Sequence, residues 1–322
     1  MFLCIFNFKK MKKFLIKYLV FIIPILIFLI ILEMLTQEHD KSSTYYQKKY
    51  IDNNKSKIDG IIFGPSHSWY GIYPKYLNYN VASLALTSSS PNVDYLLYNY
   101  TKEKVNPKFL IFDLSLGYLT THNDIDYISH KKLSYYFSNI KKDGLKDFFL
   151  VRYPLKDEMN LLFKDKKSNI DKWGFQYKVP PGVDIFSKLN FQDSLIVNDK
   201  ASEATLKRHK ERSKESNTAP NISLYKKIVS ECVSKEVKVV FISLPKYYVY
   251  NEKIDKTNEL STERMKFLNE IVDNKLCFFL NYEDFFENDT KLYYDIDHLN
   301  TEGAIAFTKE LNRVLKDIIL IV

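Results

Sequence analysis

Cysteine is nearly absent from this chain. Three residues in 322 are too few for a disulfide framework to hold the fold. Cys4 stands near the amino terminus, which leaves Cys232 and Cys277 for one bridge. Each of the two falls in an apolar helix or strand context, where a buried free thiol is the more usual state. No internal repeat and no low-complexity tract occurs, so the chain is not fibrous. A hydrophobic content of 46% excludes disorder, and the length is ample for one large domain. The net charge of +8 invites a polyanion such as lipid headgroups or wall polymers. Lys, Ile, Asn and Tyr are abundant together, however, as AT-rich coding produces, so the charge selects no function.

Acidic residues are missing among Lys9, Lys10, Lys12, Lys13 and Lys17, which precede an almost uninterrupted apolar run. Residues 14–36 supply about the twenty residues a membrane helix needs. A small-residue cleavage site is also missing after the run, which favours an uncleaved anchor over a signal peptide. Pro24 lies inside the span, where membrane helices tolerate it. The lysines predict a cytoplasmic amino terminus, 1–13, with the bulk of the chain outside the cell membrane. Residues 37–57 read as a polar juxtamembrane spacer, partly helical.

From residue 58 onward, short apolar runs alternate with longer amphipathic ones, the signature of a parallel sheet with crossover helices. Strands are expected at 58–63, 79–82, 109–114, 237–244 and 276–281, and helices at 91–100, 222–234, 261–274 and 301–319. The expected fold class is α/β, a three-layer sandwich with a five-stranded parallel sheet. Between about 119 and 220 the rhythm fails, and this segment reads as an insertion or lid over the carboxyl edge of the sheet.

Two motifs carry chemistry. Gly64-Pro65-Ser66-His67-Ser68 follows the first strand, so the Ser66 hydroxyl is presented at a strand's carboxyl end, where open α/β sheets place their ligands. Asp295-Ile296-Asp297-His298-Leu299-Asn300 stands near the other end of the chain. A serine alcohol needs an imidazole to take its proton and a carboxylate to hold that imidazole. Asp295 and His298, three apart, supply both from one turn.

Each half alone is a common turn or a capped helix start, and chain order and strand context join them. Ser68 is the rival nucleophile, within the first helical turn and more often a cap or a solvent contact. Asp297, next to His298, is the rival carboxylate and more naturally turns to solvent or caps an amide. His67 is a substrate-binding candidate, although a histidine beside a nucleophile usually points elsewhere. His122, Asn123, Asp124 and Asp126 suit a solvated loop better than a metal site. Arg208, His209, Lys210, Arg212 and Lys214 suit an exposed helix face.

Together the motifs resemble those of the SGNH (GDSL-type) hydrolases, over roughly 58–322 apart from the insertion. Gly64-Pro65-Ser66 stands where that family usually has Gly-Asp-Ser, and Asp295 to His298 matches its DxxH loop leading into the last helix. The resemblance implies a flavodoxin-like SGNH fold, with Ser66 as nucleophile, His298 as general base and Asp295 as its orienting carboxylate. It also implies an oxyanion hole built from the nucleophile's amide, a glycine after the second strand and an asparagine after the third. Here the chain departs: Ala82-Ser83-Leu84-Ala85 has no glycine, and Asp113-Leu114-Ser115-Leu116-Gly117 has no Gly-x-Asn-Asp. Ser66, Ser83 and Ser115 are the candidate donors that remain, and loss of one such donor costs about a hundredfold in rate or more.

An anchor, an exported domain and a divergent middle motif together resemble the membrane-anchored branch that includes the D-alanylation protein DltD and the alginate and polysaccharide O-acetylation proteins. That resemblance implies acyl transfer or ester hydrolysis on a cell-surface polysaccharide through an acyl-serine. An acyl group activated in the cytoplasm cannot cross the bilayer through one helix, so a transferase of this form requires a multi-pass membrane acyltransferase partner. The alternative is a degenerate domain that binds polymer or scaffolds such a complex. No cofactor, no metal and no nucleic acid is expected.

Overall fold

The computed structural model describes residues 8–39, 42–121, 133–137, 169–178, 184–214, 217–255 and 258–320. The chain divides into two units, residues 1–40 with 142–167, and residues 41–141 with 168–322. In the first unit, α1 (Phe8–His39) carries Pro24, and its stretch Met11–Leu35 is long and apolar enough to cross a membrane. A signal sequence meets the same criterion of length and composition.

In chain order the second unit runs α2 (Ser43–Asn54), β1 (Gly60–Phe63), α3 (Ser66–Gly71), β2 (Val81–Ser83), α4 (Pro91–Thr101), β3 (Phe109–Asp113) and α5 (Leu116–Leu119). It continues with α6 (Leu133–Tyr136), α7 (Ile185–Lys188), α8 (Asp193–Val197), α9 (Lys200–Lys214) and α10 (Ala219–Val233). A short helical turn from Tyr248 lies between β4 (Lys238–Ser243) and α11 (Asn258–Ile271), and β5 (Cys277–Asn281) and α12 (Thr301–Leu320) close the chain.

The five strands form one parallel sheet in the order β2-β1-β3-β4-β5. Every residue of β1 and β3 is buried, which is why both strands read as continuous apolar runs. Alternate side chains face opposite layers. Ile61, Phe63, Leu110, Phe112, Val239 and Phe241 share a core with residues of α4, α10 and α11. Ile62, Ile111, Val240 and Ile242 share the other with α3 and α12. The architecture is therefore the expected three-layer α/β sandwich.

Differences from the expected elements have local causes. Helix α10 begins at Ala219 rather than 222 because Pro220 fits the first turn, where its missing N–H costs nothing. The segment read as a spacer carries α2, capped by Ser42 and packed on the domain through the fully buried Ile51. Gln47 of that helix donates to the Ala85 carbonyl at 2.7 Å. Within 119–220, α6 to α9 and residues 169–178 are ordered against the sandwich, with Trp69 Nε1 donating to the Gly174 carbonyl at 2.8 Å. His122, Asn123, Asp124 and Asp126 lie outside the described residues. Cys232 and Cys277 are free and buried, and burial pushes their thiols up to about 11 and about 12.

Candidate active site

β1 ends at Phe63 and the chain turns at Gly64, whose φ is +135°. A Cβ at Gly64 would lie 2.7 Å from Ser68 Oγ and 2.8 Å from the Asp113 Cβ, so only glycine fits the turn. Pro65 precedes α3 and Ser66 is its first residue, at the carboxyl edge of the sheet.

The opposing loop is built by its own side chains. Asp295 Oδ1 accepts the amides of Asp297 at 2.8 Å and His298 at 2.7 Å, closing an Asx turn. Asn300 Oδ1 then accepts the Gly303 amide at 3.0 Å at the start of α12. Thus fixed, His298 turns Nδ1 to the two Asp295 oxygens at 3.1 and 3.0 Å and Nε2 to Ser66 Oγ at 2.7 Å. Because Asp295 accepts the Nδ1 proton, the lone pair stands on Nε2 and the Ser66 hydroxyl donates to it. Tyr294 stacks on the imidazole with centroids 5.3 Å apart and planes 3° from parallel, and Tyr70 meets it edge-on at 5.4 Å. Burial disfavours the imidazolium, but the carboxylates of Asp295 and Asp297 outweigh it and hold His298 above the ordinary histidine value.

Asp297 departs from the expectation that it faces solvent. It is 2% exposed and encircled by imidazoles: His67 Nε2 at 2.6 Å, His209 Nε2 at 3.5 Å and His298 Nε2 at 3.9 Å. Burial alone would raise its carboxyl, yet His67, His209 and His298 together hold it well below the usual carboxylate range. His67 spends its Nε2 on this carboxylate, and its ring centroid lies 5.2 Å from that of His298. His209 comes from α9. Its neighbours Arg208 and Lys210 are exposed as a solvated helix face requires, whereas His209 turns inward, its Nδ1 2.8 Å from the Tyr250 hydroxyl.

Beneath the Gly64 turn lies a second buried network. Ser68, expected at a cap or in solvent, is fully buried and donates to Asp113 Oδ2 at 3.4 Å. Asp113 Oδ1 accepts both the amide and the hydroxyl of Ser115, at 2.7 and 2.5 Å. Asp94 accepts from the hydroxyls of Tyr118 at 2.9 Å and Tyr225 at 3.2 Å. Burial pushes the Asp94 carboxyl up to about 7, and the charge of Asp113 adds to the rise.

The structure thus brings Ser66, His298 and Asp295 into one hydrogen-bonded chain. Of the candidate oxyanion donors, Ser66 opens α3, Ser83 closes β2 opposite Ile62, and both donors of Ser115 are engaged by Asp113. The inward roles of Asp297 and His209 carry no local signal, since they depend on residues brought together from three distant segments. Among the described residues, His67, Asp297 and His298 also present donor atoms within 4.8 Å of one another, a group that fits a metal ion by type and spacing.

No family model matches the chain, and no curated protein does. Among solved structures, a GDSL-like lipase from Bacteroides thetaiotaomicron is 10% identical, over 86% of this chain and all of its own, with a TM-score of 0.39. A Bacteroides fragilis protein assigned as an acylhydrolase is also 10% identical, over 83% of this chain and 89% of its own, with a TM-score of 0.36. Likenesses at that level transfer neither an activity nor site residues to this chain.

Proposed function

We propose that the protein is a membrane-anchored, extracytoplasmic acyl transferase or ester hydrolase of the SGNH kind, acting through an acyl-serine at Ser66. The observation that carries this reading is the hydrogen-bonded order Ser66 Oγ, His298 Nε2, His298 Nδ1, Asp295. Ser66 Oγ attacks the ester carbonyl as its proton passes to His298 Nε2. The tetrahedral intermediate then expels the alcohol, which takes that proton. An acceptor hydroxyl, or water, returns through the same steps and frees the serine. Asp295 keeps the Nδ1 proton in place and offsets the charge on the imidazolium. The Ser66 amide, at the first position of α3, has no partner within the helix and is the best-placed donor to the oxyanion.

The membrane reading rests on the apolar stretch Met11–Leu35 and the lysines before it. A cell-envelope carbohydrate ester as substrate, and a multi-pass acyltransferase as partner, follow from the resemblance to the DltD and O-acetylation branch. The second reading is a domain that binds such a polymer without turning it over, favoured by the engagement of Ser115 with Asp113.

Full-length protein in detergent, treated with a fluorophosphonate probe and an activated acetyl ester, separates the two. The catalytic reading expects labelling of the intact chain that disappears in Ser66→Ala and His298→Ala. Absence of labelling in the intact, folded chain would leave the binding reading. Labelling that survives Ser66→Ala would remove Ser66 from its role.

A further inference from the structure

The geometry points to a binding site for a zinc-class divalent cation formed by His67, His209, Asp297 and His298, whose occupancy takes Nε2 of His298 away from Ser66. The binding claim stands on its own. The consequence for Ser66 rests on the reading of Ser66 as the nucleophile.

Three of the chain's six histidines surround one buried carboxylate, and all four residues lie in the same unit. Zinc holds nitrogen and oxygen donors at about 2.0–2.2 Å in a tetrahedron, which places any two donors roughly 3.3 Å apart. The Nε2 atoms of His67, His209 and His298 lie 2.6, 3.5 and 3.9 Å from Asp297 oxygens. The donor atoms of His67, Asp297 and His298 all lie within 4.8 Å of one another, and His209 stands outside that group and joins it through its contact with Asp297. A cation entering the centre opens the first contact and closes the other two, which side-chain rotation accommodates. The three-imidazole, one-carboxylate donor set suits zinc, copper or nickel and does not suit magnesium or calcium, which take oxygen ligands.

A second observation is independent of those distances. A metal-bound imidazole almost always donates its other N–H to a carboxylate or another oxygen, which fixes the tautomer and the ring. Here two of the three far nitrogens already have such an oxygen, and the third lies near one. His298 Nδ1 lies 3.0 Å from Asp295, His209 Nδ1 lies 2.8 Å from the Tyr250 hydroxyl, and His67 Nδ1 lies 3.8 Å from Asp113. His67 Nδ1 is buried and makes no hydrogen bond to any described residue. With a cation on Nε2, Nδ1 carries the proton and points it at Asp113. Two of the three rings thus have the outer partner that a metal ligand requires, and the third has an unpartnered buried nitrogen 3.8 Å from a carboxylate.

Nε2 of His298 has one lone pair. It either accepts the Ser66 hydroxyl at 2.7 Å or binds the cation. Occupancy of the site therefore withdraws the base from the serine, and the cation acts as an inhibitor and not as a cofactor.

The test uses full-length protein in detergent, stripped with a chelator and titrated with Co2+, whose four-coordinate complexes absorb strongly in the visible. The expected result is one Co2+ per chain with that band, displaced by Zn2+. Binding should persist in Ser66→Ala and weaken by about tenfold or more in Asp297→Asn and in His209→Gln. His209 stands outside the sheet and its variant is read even where Asp297→Asn fails to fold. No band, or a band that both folded variants leave unchanged, would overturn the site. Fluorophosphonate labelling of Ser66 should fall about tenfold or more with saturating Zn2+ and return with chelator. Labelling indifferent to bound Zn2+ would overturn the inhibitory role alone. If Co2+ binds as expected and Ser66 never labels, the site stands and the catalytic reading falls.

Discussion

Asp295 and Asp297 are the same residue type, two positions apart in one loop, and they serve the same histidine from opposite sides. Asp295 works locally: it ties the loop through two backbone amides and holds Nδ1 of His298 three residues away. Asp297 works at long range, gathering His67 from α3 and His209 from α9 around a buried carboxylate that also lies 3.9 Å from His298 Nε2. The first sets the tautomer of an imidazole, and the second joins three segments of the domain. Identity and spacing do not separate these roles; burial and the origin of the partners do.

The sharpest way to break this division is to remove each carboxylate in turn. Asp295→Asn should lower the rate of Ser66 labelling by about 10³ to 10⁴, because the amide favours the wrong imidazole tautomer. Asp297→Asn should reverse the pattern. Rate in metal-free protein should fall by far less, while urea denaturation should show a loss of roughly 3 kcal/mol, as expected when a buried charge network loses its centre. Equal loss of rate in the two variants would erase the distinction between base orientation and structural coupling.

Asp94 extends the comparison to a buried carboxylate that accepts from the hydroxyls of Tyr118 and Tyr225. Its carboxyl is raised to about 7, whereas three imidazoles hold Asp297 well below the ordinary range. A raised carboxyl means that the native state binds a proton the unfolded chain releases. The Asp94 contribution is thus fully present below about pH 4 and lost as pH rises through about 7. Stability of the native chain relative to Asp94→Asn should therefore fall by about 1 kcal/mol per pH unit across that window. Denaturation curves at pH 4.5, 5.5 and 6.5, chosen to be about one unit apart within it, check the sign. A difference that stays flat would mean that Asp94 is not titrating there.

The parts legible in the sequence are those whose physics is local. Residues of β1 and β3 are apolar at nearly every position because both faces of the sheet are covered. The pairing of Asp295 with His298 is a three-residue separation that one turn spans. Ser66 was readable because Gly64 breaks the strand just before it, and the close approach of Ser68 and Asp113 shows why glycine is needed there. Asp297, His209 and Ser115 were not readable in this way. His209 sits among exposed Arg208 and Lys210, and only the fold reveals that one face of α9 meets the loop after β5. Ser115 looked like a spare donor because nothing in the sequence says that Asp113, two residues earlier, takes both its amide and its hydroxyl.

The smallest expected effect concerns the ring that Asp295 orients. Tyr294 lies parallel to His298 with centroids 5.3 Å apart, and its backbone carbonyl separately accepts the amides of Ile185 and Phe186. Tyr294→Leu keeps those backbone bonds and most of the burial, and it removes the stacking contact together with the hydroxyl's hydrogen bond to Tyr70, which Tyr294→Phe removes alone. Aromatic pairs of this kind contribute about 0.5–1.5 kcal/mol, which corresponds to roughly a two- to tenfold change in rate if the contact serves the reactive geometry. The imidazole still has Asp295 on Nδ1, so the fall in labelling should stay within that range and be accompanied by little change in unfolding midpoint. A loss as large as that of Asp295→Asn would assign the orientation of the base to the ring stack and not to the carboxylate, and the local role of Asp295 would then reduce to building the turn.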